Sequence, residues 1–267
     1  MNIEKNQGAK KLNPKELKLR ENLALTYRIL GYLGLDDLTY SHLSARLPGS
    51  NHYFISPLGL LFCEVEADLL LKVDLSGEVL EGTEQQYNQT GFVIHSSIYE
   101  AREEVNAVFH LHAPYSVAVS ASESGLLPIS QFAFHFYNRL SYHVYDSLAL
   151  DKNRQGQTLA QDLGQNPAML LKNHGSISCG KTVQEAFFYI YYLEQACKVQ
   201  CLASQLGQPL IVPSPLVCEQ AAQDMRAFEQ DLGMRDWTAL SRVLARAVSG
   251  SKNIQSSREL TLETTPI

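Results

Sequence analysis

The segment Asn106-Ala-Val-Phe-His-Leu-His112 changes character at every step. In an extended chain, side chains two apart share a face, so Val108, His110 and His112 point one way while Ala107, Phe109 and Leu111 point the other. A strand is predicted here. On either side of it the period changes to that of a helix. Ahead of it Phe92, His95, Ser96 and Tyr99 share one helical face, and behind it Pro114 opens a short helix over Tyr115 to Ala121.

The rest of the chain falls into the same two patterns. Asn13-Pro14-Lys15-Glu16 reads as a helix start, with Asn13 as cap and Glu16 closing a capping box, and Leu19, Leu23, Tyr27 and Leu30 form its apolar stripe. From Leu38 to Leu80 short apolar runs predict sheet, with Ser76-Gly77 turning a hairpin between Lys72-Leu75 and Glu78-Leu80. Later strands are expected at Leu140 to Tyr145, Ala168 to Leu171 and Ser176 to Cys179. The longest helix is expected from Val183 to about Gln205, opened by Thr182 with Glu185 and buried along Val183, Phe187, Ile190, Leu193 and Cys197. Two more helical patterns follow, Leu216 to Asp231 and Arg235 to Val248. The order argues for one α/β domain over residues 13–248, with a mixed or antiparallel sheet clad by helices, between a flexible N-terminus (1–12) and a Ser/Thr-rich C-terminal tail (249–267).

Composition removes several function classes. With 22 basic against 28 acidic residues the formal charge is −6, and nucleic acid is excluded as the main partner. No window approaches the roughly 18 to 20 apolar residues of a membrane helix, and Met1 to Lys11 is too polar for a secretion signal. The five cysteines form no C-x-x-C pair. A reduced, cytoplasmic setting is expected, with each cysteine acting as a small hydrophobe.

His110 and His112 put two imidazoles on one strand face, with Cβ atoms roughly 6 to 7 Å apart. A divalent ion such as zinc needs three or four N, O or S donors, and a catalytic site leaves one position for water or substrate. His174, in the polar turn Asn173-His174-Gly175, is the best third donor, with Gly175 expected to free the backbone that aims it. The other histidines His42, His52 and His135 read as ordinary hydrogen-bonded rings.

Four motifs occur in order: Gly91-Phe-Val-Ile-His-Ser-Ser-Ile-Tyr-Glu-Ala-Arg102, Val105-Asn-Ala-Val-Phe-His-Leu-His-Ala-Pro114, Gly125-Leu-Leu-Pro-Ile-Ser130, and Leu171-Lys-Asn-His-Gly175 through Thr182-Val-Gln-Glu-Ala-Phe187. Together they resemble the class II aldolase/adducin head-domain family. The resemblance implies a three-layer α/β/α domain with a mainly antiparallel central sheet, assembled as a homotetramer with sites near subunit boundaries. It also implies zinc, or another first-row divalent metal, on His110, His112 and His174. Departures accompany the matches. Gly91 stands where the family's sugar-phosphate aldolases place their catalytic glutamate, Ser41-His42 replaces their phosphate-binding Gly-Asn turn, and Gln89-Thr90 replaces a Ser-Ser pair. No tyrosine follows Tyr192 to match the one those enzymes supply from a neighbouring subunit. The run Asn88-Gln-Thr-Gly-Phe-Val-Ile-His95 matches the adducin-like branch instead.

The expected function is a metal-dependent lyase acting on a carbon–carbon bond next to a carbonyl or carboxylate of a small-molecule substrate. The alternatives are a decarboxylase of the same fold and a non-catalytic, adducin-like oligomerisation module. With Gly91 unable to carry protons, His95, Tyr142 and His143 are the candidate catalytic groups, and Tyr99 is a further one on the helix face. Glu100 is expected to face away, and Glu185 to serve the helix cap.

Overall fold

The computed structural model describes residues 13–82 and 85–247. The expectations for the leader 1–12 and the tail 249–267 fall outside the described residues.

Helix α1 (Pro14–Tyr32) starts where the sequence places it, with Asn13 Oδ1 accepting from Lys15 N at 3.0 Å. Leu23, Tyr27 and Leu30 are fully buried, with Leu19 packed beside them. Glu16 does not close a capping box. Its carboxylate instead pairs with Lys72 Nζ at 3.0 Å and His52 Nε2 at 3.2 Å, tying the helix to the sheet.

The strands are β1 (His42–Ala45), β2 (His52–Ile55), β3 (Leu71–Asp74), β4 (Val79–Glu81), β5 (Ala107–Leu111), β6 (Leu140–His143), β7 (Ala168–Leu171) and β8 (Gly175–Gly180). They form one sheet in the order β4-β3-β2-β1-β5-β8-β7-β6, with β5 central. Six of the pairings are antiparallel and the pairing of β6 with β7 is parallel, so the sheet is mixed. Parallel neighbours need a crossover. It is supplied by a π-turn, Lys152–Gly156, running into helix α5 (Gln157–Leu163), a stretch that carries no clear helical signal in the sequence.

Three layers follow from the alternation along each strand. On one face of the sheet Val108, Ile177, Met169 and Leu171 pack against Ile94, Ile98, Leu159 and Leu163 of α2 (Gln89–Ala101) and α5. On the other, Ala107, Phe109 and Leu111 pack against α1 and α6 (Val183–Gln205). A third cluster joins α3 (Pro114–Ser120) to α6 around Val119, Phe188 and Leu193. The α/β/α layering implied by the resemblance is therefore observed. The predicted stripe of α6, Val183, Phe187, Ile190, Leu193 and Cys197, is buried throughout. Beyond it lie α7 (Pro215–Phe228) and a last helical run over residues 234–247, whose Trp237 donates from Nε1 to Thr26 Oγ1 at 2.7 Å. The short helix α4 (Gln131–Phe134) was not expected. No described helix is long and apolar enough to cross a membrane.

One buried carboxylate holds the segment just after the histidine strand. Helix α3 begins at Pro114 with Ala113 as its cap residue, which has no side-chain acceptor for the first free amides. Glu194 of α6, itself only 3% exposed, reaches across and accepts from Tyr115 N at 3.0 Å and Ser116 N at 2.8 Å. A long-range cap thus replaces a local one. Glu194→Ala leaves two inner amides unpaired and is expected to cost about 2 kcal/mol or more of unfolding free energy, read from urea denaturation. A loss below half of that would show that water replaces the carboxylate.

Candidate metal centre

The end of the sheet where β5 finishes and β8 begins gathers the histidines. His110 lies on β5, His112 follows the strand by one residue, and His174 sits in the turn between β7 and β8. Asn173 is the residue of that turn with left-handed backbone, at φ 60°. Gly175 serves a different purpose from the expected one. A Cβ there would lie 2.4 Å from the Leu111 carbonyl oxygen and 3.1 Å from His112 Cδ2. Glycine is needed for close approach of the two strands beside the histidines.

The three rings converge. His112 Nε2 lies 2.9 Å from His110 Nε2 and 3.0 Å from His174 Nε2, and the three candidate ligand atoms all lie within 4.8 Å of one another. The proton positions follow from the outer partners. His110 Nδ1 is 3.0 Å from the Ser176 carbonyl oxygen and His112 Nδ1 is 2.9 Å from Asp37 Oδ2. Both partners only accept, so both Nδ1 atoms carry the proton and both Nε2 atoms present lone pairs. Two lone pairs facing each other repel unless a cation lies between them. The donor set therefore fits a first-row divalent ion, with the outer hydrogen bonds that fix ligand tautomers in such sites. Asp37 had no signal in the sequence, since only folding brings it to His112.

Burial keeps the His110 and His174 rings neutral. It pushes the His110 pKa well below the usual 6.5, with His112, His42 and His174 adding to the effect. His174 is lowered to about 4, by burial first and then by His112 and His143.

A second polar chain runs behind the cluster on the same face. His42 on β1 stands directly opposite His110 in the strand register, with ring centroids 5.0 Å apart. Its Nδ1 is 2.8 Å from His95 Nε2, His95 Nδ1 is hydrogen-bonded to Ser44 Oγ, and Ser44 Oγ is 2.8 Å from the Tyr99 hydroxyl. His95 is fully buried, so it reaches the centre only through His42. Burial holds the His95 pKa far below the usual value and lowers His42 to about 3. From the sequence, His42 stands out only within the Ser41-His42 departure from the family pattern, and its ring reads as an ordinary hydrogen-bonded one.

The remaining candidates divide by face. His143 lies on the α5 side of β6, with Nδ1 2.7 Å from Asp162 Oδ2, and lines a narrow cleft with His174, Tyr145 and Ile94. Tyr145 packs on His174 with ring centroids 5.9 Å apart and was missed, although it lies two residues beyond His143. Strand alternation sends Tyr142 to the opposite face, where its hydroxyl accepts from Leu126 N at 3.0 Å. The structure thus does not bring Tyr142 to the histidines. Glu100 pairs with Lys152 Nζ at 2.7 Å, and Glu185 accepts from Lys181 N at the start of α6, also at 2.7 Å. A cavity of about 470 Å³ opens at the other end of the sheet around Arg139, Lys181 and Arg226, and contains none of these histidines.

Fold and site together define a layered α/β protein with a three-histidine centre at the end of its sheet. The chain belongs to the class II aldolase and adducin N-terminal domain family, whose profile matches residues 21–201. An aldolase II superfamily protein from Pseudomonas syringae superposes with a TM-score of 0.83 at 38% identity, covering 89% of this chain and 96% of that one. L-fuculose 1-phosphate aldolase from Glaciozyma antarctica superposes with a TM-score of 0.76 at 28% identity, covering 88% and 92%. Alpha-adducin of Rattus norvegicus is 39% identical over 74% of this chain but only 27% of its own length.

Two outcomes are expected from this geometry. The unfolded chain protonates histidines near pH 6.5, whereas folded His42 does so at about 3 and His174 and His135 at about 4. Between those values the unfolded state binds more protons, so stability present above pH 6.5 is lost as the pH falls toward 4. In chelator, the calorimetric Tm should drop continuously from pH 7 to pH 4.5, and a flat profile would contradict the burial of these rings. Gly175→Ala forces β8 off β5 and should cost about 1 to 3 kcal/mol, measured by denaturant midpoint; an unchanged midpoint would refute the close-approach account.

Proposed function

We propose that this protein is a metal-dependent lyase that cleaves or forms a carbon–carbon bond next to a carbonyl or carboxylate, with His110, His112 and His174 as the ligands of zinc or another first-row divalent ion. The observation that carries the reading is the convergence of three imidazole Nε2 atoms, two of them with the proton fixed on the opposite nitrogen. A bound divalent ion supplies Lewis acidity, drawing charge from the substrate oxygen and stabilising the enediolate or carbanion left when the bond breaks.

The chain's own groups do the rest. Asp37 and the Ser176 carbonyl hold His112 and His110 in the binding tautomer. His143, oriented by Asp162 in the cleft beside His174, is the proton carrier in this arrangement. His95 acts from behind His42, and Tyr142 is given no part because it lies on the other face. The substrate is a small carbonyl or carboxylate compound. Exposed apolar side chains follow β6 close to the cleft, Val144, Tyr145, Leu148 and Leu150, and suit coverage by a second copy in a homotetramer. The cysteines are all free, which suits a reducing cytoplasm.

Decarboxylation is the second reading, favoured by Gly91. Loss of carbon dioxide leaves the same kind of carbanion and needs no base to begin. A third, the non-catalytic module, is favoured by the adducin relatives and predicts a closed fourth protein ligand on the ion.

Elemental analysis of the purified protein is expected to find about one equivalent of divalent metal per chain and its loss in His110→Ala, because two imidazoles do not complete such a site. Incubation with hydroxy-keto acids and aromatic carboxylates, followed for aldehyde and for carbon dioxide, then separates the two lyase readings. Metal-free wild-type protein would remove both.

A further inference from the structure

Gly91 is the position at which the sugar-phosphate aldolases of the family carry a glutamate, and the structure shows what occupies that space here. The His42 ring lies flat against Gly91: a Cβ added to the glycine would sit 3.2 Å from His42 Cδ2 and Cγ and 3.3 Å from Cε1. Those distances are tighter than ordinary Cβ contacts, so a side chain at residue 91 would have to displace the His42 ring by at least a few tenths of an ångström, and the glycine lets the ring lie where it does. We propose that His42 takes over this position as a neutral hydrogen-bond donor from Nε2 to the substrate, and that the site therefore accepts a substrate with a carboxylate or carbonyl oxygen at that point rather than a hydroxyl to be deprotonated. The proposal rests on the metal-dependent reading and names the substrate class for it.

The proton on His42 is placed by the chain behind it. Tyr99 is 2% exposed, and its hydroxyl has one hydrogen-bond partner among the described residues, Ser44 Oγ. If Tyr99 accepted that bond, its own proton would be stranded in the apolar layer formed with Ile98, Val108 and Ile177, which costs more than the bond returns. Tyr99 therefore donates to Ser44, and Ser44, with one proton, donates to His95 Nδ1. His95 then carries its proton on Nε2 and donates to His42 Nδ1. That leaves His42 protonated on Nε2.

No other described residue takes a hydrogen bond from that second nitrogen, although the ring is only 3% exposed and in contact with His110. That nitrogen is not among the fully enclosed side-chain atoms left without a partner, so an acceptor from outside the protein can reach it. With the His42 ring centroid 5.0 Å from that of His110, an oxygen of a substrate held at the three histidines is the acceptor this proposal assigns to it. An acidic side chain at residue 91 would accept a proton there, whereas His42 in this tautomer offers one. His95, Ser44 and Tyr99 are positioning residues in this scheme.

The test begins with the histidine tautomers in ¹⁵N-labelled protein, read from two-bond nitrogen–proton correlations with and without zinc. Nε2–H is expected at both His42 and His95, with Tyr99→Phe giving mixed tautomers at His42. The second arm titrates oxalate, as a chelating dicarboxylate probe, into the zinc-loaded protein. His42→Phe should keep the wild-type zinc content and bind oxalate about tenfold more weakly, while His42→Gln, which retains an N–H donor, recovers part of the affinity. An Nδ1–H tautomer at His42, wild-type oxalate affinity in His42→Phe, or loss of zinc from that variant would each overturn the proposal. If His42→Phe fails to fold, the wild-type tautomers and His42→Gln still decide it. Absence of zinc binding in the wild-type protein would instead sink the metal reading and this inference with it, a result that the tautomer data keep distinct.

Discussion

The register of β5 between β1 and β8 is the constraint on which the rest of this structure depends. Pairing with β1 puts His42 opposite His110, and pairing with β8 sets Ile177 opposite His110, so the turn carrying His174 arrives beside His112. The strand is buried on both faces, which leaves no tolerance for a slip. A shift of one residue would send His110 into the layer of Phe109 and Leu111 and bring those side chains against α2. Hydrophobic patterning, which has no chemical purpose of its own, is thus what aims the imidazoles.

Placing so many polar rings inside a core has an energetic cost, met in two ways. The rings are kept neutral, since burial lowers the proton affinity of His42, His95 and His110. They are also joined into chains in which most nitrogens have a partner: Asp37 behind His112, the Ser176 carbonyl behind His110, and Ser44 with Tyr99 behind His95. Glu194 follows the same logic on the other side of the sheet, where a buried carboxylate stays in place by completing the start of α3. The Nε2 atoms of His110, His112 and His174 instead face one another, where a ligand can complete them.

Much of this was legible beforehand. The helices α1, α2, α3 and α6, the strand β5 and the hairpin of β3 with β4 all announce themselves through periodicity and end signals, because each is long or sharply bounded. The crossover through the π-turn and α5 was not, since residues 146–167 mix polar and apolar positions without a clear stripe. Its consequence, the parallel pairing of β6 with β7, was hidden with it. Glu16 was misjudged because a capping box is a local rule, and Lys72 and His52 offered stronger distant partners. Tyr142 and His143 looked equivalent in the sequence, but adjacent strand residues point to opposite faces, and only one face carries the centre.

The sequence by itself determined the family, the layering that the family implies, and the three histidines that converge, because motif order and alternation are properties of neighbouring residues along the chain. Only the tertiary structure decided which groups stand behind them. Asp37 against His112, His42 against Gly91, and the chain from His42 to Tyr99 join residues far apart in sequence, through side-chain hydrogen bonds that no local pattern encodes. Proton placement on each imidazole is set by those partners, and so the chemistry available at the centre is fixed by packing rather than by composition.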